Sequence, residues 1–133
     1  MTVVLDTNVL VAALVAEGLC REVVHRVIRM RSVATSPPLL DELDATLRRK
    51  FKITAAAAAF LDAFRAQVRV VEATPLEGPV CRDPDDDTVL ATAVAADANL
   101  IVTGDDDLLV LRTYAGIAIV SPRRLLEILD SAK

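Results

Sequence analysis

Acidic residues recur at places in this chain where a solvated surface charge is not expected. Asp6 closes the apolar run Val3-Val4-Leu5, and Asp105 follows Leu100-Ile101-Val102 after Thr103-Gly104. Glu42 lies one turn into the segment after Ser32 to Thr35, and Asp87 ends the triplet Asp85-Asp86-Asp87. At helical spacing Asp87 shares a face with Leu90, Ala91 and Val94, and Glu42 borders the face of Leu39, Leu43 and Thr46. Carboxylates aimed toward a core are rare unless a cation pairs with them or a metal takes them as ligands. Taken singly, each has an ordinary explanation: Asp6, Thr7, Asp85 or Asp86 as a helix cap, Glu42 as a helix-surface acid. Taken together they repel, because no Lys or Arg lies between residues 83 and 111. A divalent cation with hard oxygen ligands relieves that repulsion, and one or two Mg²⁺ or Mn²⁺ ions suit an all-carboxylate site.

These acids need elements to position them. Val3 to Leu5 reads as a strand, followed by a helix from about Val9 to Val15. Cys20, Val23, Val24, Val27 and Ile28 repeat at helical spacing, with Arg21, Arg26 and Arg29 opposite. Ser32 to Thr35 is a short strand, and Ser36-Pro37 starts a helix reaching about Arg49. Thr54 opens another through the alanines 55 to 59, ending near Gln67. Val68 to Val71 predicts a strand, and Pro75, Gly78 and Pro79 mark a loop. Residues 85 to about 97 predict a helix, Leu100 to Val102 and Ile117 to Val120 buried strands, and Ser121-Pro122 the start of a last helix to about Leu129. Short aliphatic strands alternating with helices predict one domain over residues 1–133, a three-layer α/β/α sandwich around a mostly parallel central sheet. In such sheets ligands bind beyond the carboxyl ends of the strands, where these acids fall.

Composition bounds the rest. The 133 residues are 53% hydrophobic and 26% charged, which supports a core and excludes a disordered chain. Cys20 and Cys81 belong to no CxxC or Cys/His cluster, so neither a disulfide framework nor a zinc site is expected. The apolar first sixteen residues lack a preceding basic residue and are broken by Asp6, unlike a signal peptide; a cytoplasmic setting with no membrane span is expected. The formal charge of −4 argues against nucleic acid only superficially. Asp83, Asp85, Asp86, Asp87, Asp105, Asp106 and Asp107 supply seven of the 19 acids, and the remaining 12 face 15 Lys and Arg. The acidity is local, and bound cations reverse part of it. The basic stretch Arg48-Arg49-Lys50-Phe51-Lys52, with Arg29 and Arg31 or Arg123 and Arg124, is a candidate phosphate contact. With Tyr114 and three Phe as the only rings, base stacking is not the main recognition mode.

Four segments, Val3-Val4-Leu5-Asp6-Thr7-Asn8, Leu39-Leu40-Asp41-Glu42-Leu43, Arg82-Asp83-Pro84-Asp85-Asp86-Asp87 and Val102-Thr103-Gly104-Asp105, resemble in order and spacing the motifs of PIN-domain nucleases. DPDDD and TGD-x-D are most similar to the VapC-like toxins of bacterial toxin–antitoxin systems. The resemblance implies a metal-dependent endoribonuclease with Asp6, Glu42, Asp87 and Asp105 as its catalytic, metal-binding quartet. Asp107 is a fifth candidate ligand, and Asn8 and Thr103 are supporting polar residues. It also implies an RNA substrate, an antitoxin protein that occupies the acidic groove, and a homodimer.

Two other classes fit less well. An aspartyl phosphotransferase of the haloacid-dehalogenase type also begins strand, Asp, helix, but requires a second Asp where Asn8 stands. A non-catalytic PIN-like metal- and partner-binding protein is the alternative that Asp106, an extra negative charge between Asp105 and Asp107, keeps in view. His25 is the only histidine, and no G-x-S-x-G elbow or Gly-rich phosphate loop occurs.

Overall fold

The computed structural model describes the backbone of residues 1–51 and 55–131. Thr54 as a helix start, and Lys52 in the basic stretch, lie outside the described residues, as does the Phe51 side chain. In chain order the elements are β1 (Val3–Leu5), α1 (Thr7–Val15), α2 (Leu19–Arg29), β2 (Val33–Thr35), α3 (Pro37–Phe51), α4 (Ala55–Gln67) and β3 (Arg69–Val70). They continue with α5 (Pro84–Ala95), β4 (Leu100–Val102), α6 (Asp106–Leu109), β5 (Thr113–Tyr114), β6 (Ile117–Val120) and α7 (Pro122–Ser131).

Six strands form one sheet in the order β3-β2-β1-β4-β6-β5, parallel throughout except for β5, which runs antiparallel to β6. The central strands β1, β2 and β4 are covered on both faces, which is why they are uniformly apolar or small rather than alternating. Alternate residues still sort by face. Val3 and Leu5 join the core beneath α1, α2, α4 and α7, with Leu40, Leu43 and Leu47 of α3. Val4, Ala34 and Ile101 join a second core with Leu90 and Ala93 of α5, Leu108 of α6, and Ile119. Two helical layers therefore sandwich the sheet, as the alternating pattern predicts.

The short helix α6 and the strand β5 are additional to the elements expected from sequence. Asp105 caps α6 by accepting the N–H of Asp107, and β5 returns to β6 through Ala115 and Gly116, with φ of 51° and 81°. Two consecutive positive φ values are the signature of a tight hairpin turn, which glycine adopts without strain. No described helix is long and apolar enough to cross a membrane.

Candidate metal centre

The strand order reverses between β1 and β4, which opens a crevice at their carboxyl ends. Leu5 lies opposite Val102 in this pairing, so the residues that follow, Asp6 and Thr103, emerge side by side. Both are buried. The Thr103 hydroxyl donates to Asp6 Oδ2 at 2.6 Å and accepts the N–H of Asp105 at 3.0 Å. One threonine thereby fixes the acids of two adjacent strands. Asp105 in turn accepts the Asp107 N–H at 2.9 Å, and Asp107 Oδ1 accepts from Arg82 Nη2 at 2.6 Å.

A third group of acids comes from α5. Asp83 caps this helix by accepting the N–H of Asp85 at 2.9 Å, with Pro84 in the first turn. Its inward face is Asp86, Val89, Leu90 and Ala93, all buried at the spacing of a helical stripe. The stripe carries Asp86 to Asp105 and Asp107, where one carboxylate oxygen from each lies within 4.8 Å of the others. Asp86 is only 6% exposed, and its Oδ2 is buried without a hydrogen-bond partner among the described residues.

The electrostatics report the crowding. Burial, then the negative charge of Asp105 and the hydrogen bond that a protonated Asp86 would donate to it, then Asp6 and Asp83, push the Asp86 carboxyl up to about 7. Burial, then Asp85, Asp6 and Asp83, push half-buried Glu42 of α3 up to about 7, against a favourable contact from the Thr7 side chain. Burial also raises Asp6, with Asp105 adding to the rise, while Thr103 and the nearby N–H groups of Asn8 and Thr7 oppose it. A buried carboxylate oxygen with no donor is costly to the fold. Hard oxygen donors at this spacing fit Mg²⁺ or Mn²⁺, so the residues present suit a divalent ion.

Of the expected acids, Asp105 and Asp107 lie in the cluster, Asp6 is joined to Asp105 through Thr103, and Glu42 feels the charge of Asp6 from α3. Asn8 is exposed in the first turn of α1, and its backbone N–H is what acts on Asp6. Asp87 does not join them, contrary to its expected place on the core-facing side of α5. Its carboxylate accepts the N–H of Cys81 at 2.8 Å and of Val80 at 3.2 Å, and it lines a separate cleft with Pro38, Leu76 and Pro79. Burial raises its carboxyl, but the Cys81 and Val80 donors outweigh that and hold it below the usual range. The expected partner Val94 is 48% exposed, so the helix presents the register one residue earlier. Asp86 is the acid that sequence reasoning missed. The stripe Asp86, Val89, Leu90, Ala93 was available as a signal, but Leu90, Ala91 and Val94 form an equally apolar competitor. Arg82 was also missed as a contact of the centre. So was the buried Ser36–Thr92 hydroxyl pair, 2.7 Å apart, which ties the end of β2 to α5.

A sheet with its switch point at β1 and β4 and carboxylates gathered there defines an α/β protein built around a polyacidic centre. The family model for the PIN domain matches residues 2–107, and the chain belongs to that family. Three solved structures share its fold. A VapBC2 complex from Rickettsia felis, bound to a DNA fragment from its promoter, matches with a TM-score of 0.67 and 16% identity over 91% of this chain and 98% of that one. PAE2754 from Pyrobaculum aerophilum matches with 0.69 and 19% over 98% and 90%. VapC20 from Mycobacterium tuberculosis, described as a Sarcin-Ricin loop cleaving toxin, matches with 0.62 and 20% over 88% and 99%. No curated protein matches the chain.

Proposed function

We propose that this chain is a divalent-metal-dependent endoribonuclease and the toxin of a toxin–antitoxin pair. The observation that carries the reading is the buried, unpartnered Asp86 Oδ2 among the oxygens of Asp105 and Asp107. Membership of the PIN family supports nuclease chemistry. The fold shared with VapC20 and with a VapBC complex supports the toxin assignment.

In this reading Asp86, Asp105 and Asp107 hold the cation, with Asp6 and Glu42 completing the acidic set in place of the expected Asp87. A bound Mg²⁺ or Mn²⁺ supplies charge neutralisation of the scissile phosphate and activation of water. Thr103 orients Asp6 and Asp105 through its two hydrogen bonds, as ligand-orienting residues do around metal sites. Asn8, exposed at the start of α1, supports the substrate side of the cleft. A cytoplasmic setting, an antitoxin segment that covers the acidic cleft, and a homodimer belong to the same proposal.

The test is cleavage of a panel of RNA and DNA by contaminant-free protein with Mg²⁺, Mn²⁺ or EDTA. RNA cleavage that needs the metal and is lost in Asp86→Asn and Asp105→Asn supports the reading. Cleavage that survives both EDTA and the combined Asp6→Asn, Asp86→Asn change refutes it. Calorimetric Mn²⁺ binding with no cleavage selects the non-catalytic alternative, and light scattering on a gel-filtration column decides the dimer.

A further inference from the structure

Arg82 is tied to the acidic centre, and the proposed chemistry leaves it unused. No Lys or Arg occurs between residues 83 and 111. Of the ion pairs among the described residues, only that of Arg82 with Asp107 reaches the cluster. The pair is short, 2.6 Å, yet the Arg82 side chain is 86% exposed and makes no other described hydrogen bond. Its backbone, by contrast, is held on both sides. Asp87 accepts the N–H of Cys81 just before it, and Asp83 just after it caps α5. The guanidinium is therefore a long arm on a fixed pivot, anchored at its tip by one carboxylate oxygen that belongs to the candidate metal ligands.

We propose that Arg82 is a substrate-binding residue with two successive partners: Asp107 while the centre is empty, and a backbone phosphate of the RNA once a divalent cation claims the Asp107 carboxylate. The inference rests on the metal-centre reading above. A cation of charge +2 at Asp107 competes for the charge of the same carboxylate and repels the guanidinium, so the arm is released where the scissile strand arrives. Arginine suits the second role because its planar fork matches phosphate oxygens. Asp87, by pinning the Val80-Cys81 backbone, is a positioning residue that acts through Arg82. Metal loading and substrate capture are coupled: the ion at Asp107 frees the Arg82 guanidinium for a phosphate.

Calorimetric Mn²⁺ binding and RNA cleavage kinetics on the full chain test this, comparing wild type with Arg82→Gln and Arg82→Lys. Exposed pairs of this kind are weak, so Arg82→Gln is expected to bind Mn²⁺ about two- to fivefold more tightly. The same variant raises KM for RNA by about three- to tenfold, more than it lowers kcat, and the salt dependence of log KM becomes shallower by about 0.7. Arg82→Lys lies between the two. Unchanged or weaker Mn²⁺ binding by Arg82→Gln, or an unchanged KM and salt slope, overturns the inference while wild-type Mn²⁺ binding leaves the metal centre standing. Absence of Mn²⁺ binding by the wild type itself overturns both.

Discussion

Replacing Asp86 by Asn and Asp87 by Asn is expected to move stability in opposite directions in metal-free buffer. Asp86 is pushed from the ordinary 3.8 to about 7, first by burial and then by Asp105. At about 1.4 kcal/mol per pH unit, that difference sets a ceiling of about 4 kcal/mol on what its ionisation costs the fold. The charge is shared with Asp105, and the neighbouring Asp107 side chain is 37% exposed, so solvent screening leaves roughly half, about 2 kcal/mol. Because the folded value lies above the unfolded one, this cost is absent near pH 4, grows as pH rises toward 7, and is fully present at about pH 8. Asp86→Asn keeps the shape and removes the charge. In EDTA at about pH 8 it is expected to melt roughly 5–8 °C above wild type, with no difference near pH 4. Asp87 has the opposite environment, since its carboxylate accepts two backbone N–H groups. Its Asn variant loses about 1 kcal/mol, comparable to a lost helix cap, and melts roughly 3–5 °C lower. Calorimetric melts in EDTA read both shifts, and excess Mn²⁺ then raises the wild type but not Asp86→Asn. A less stable Asp86→Asn protein at about pH 8, or a more stable Asp87→Asn protein, refutes the assignment of the two neighbouring acids.

Other expectations are narrower. Thr103→Val leaves Asp6 Oδ2 and the Asp105 N–H unpaired; a cost of about 1–3 kcal/mol in melts and about 10- to 100-fold weaker Mn²⁺ binding are expected. Saturating Mn²⁺ at about 100 times its dissociation constant adds about 2.7 kcal/mol above pH 7. That gain shrinks toward pH 5 in the same melts, because Glu42 and Asp86, both pushed up to about 7, are then protonated. Ile101→Ala removes a fully buried β4 side chain that packs with Leu90 and Leu108, and costs about 2–5 kcal/mol by denaturant titration. Val110→Asp, at a site 74% exposed, changes stability by less than about 0.5 kcal/mol in the same titration.

The sheet and most helices were legible because their signals are local. Ser36-Pro37 and Ser121-Pro122 mark the starts of α3 and α7, and the aliphatic triplets of β1 and β4 announce strands buried on both faces. The carboxyl-edge rule then placed Asp6 and Asp105 beyond adjacent strands, where the Thr103 hydroxyl bridges them. What failed was a choice of register. Asp86 and Asp87 differ by about 100° around α5, and both choices give an apolar stripe, so local pattern cannot select one. Tertiary contacts decide it, through Ile101 and Leu108 on one side and the Val80-Cys81 backbone on the other. Helix α6 and strand β5 escaped for a related reason: four and two residues are too few to show a period. The Arg82–Asp107 pair spans 25 positions and has no sequence signature.

All the acids of the centre are present by residue 107, where the family match also ends, yet the clamp that aligns them is held from further along. The Thr103 N–H donates to the Val120 carbonyl at 3.0 Å, and β6 lies beside β4 along its whole length. Leu125 of α7, fully buried, packs into the same core as Val3 and Leu5. A chain that folds as it is synthesised therefore carries its carboxylates well before it has the strand that locks Thr103 in place. The alignment of the cleft thus depends on a strand that follows every one of its acids in the chain. A truncation after α6 would keep every proposed ligand and yet lack the strand that holds Thr103 in place.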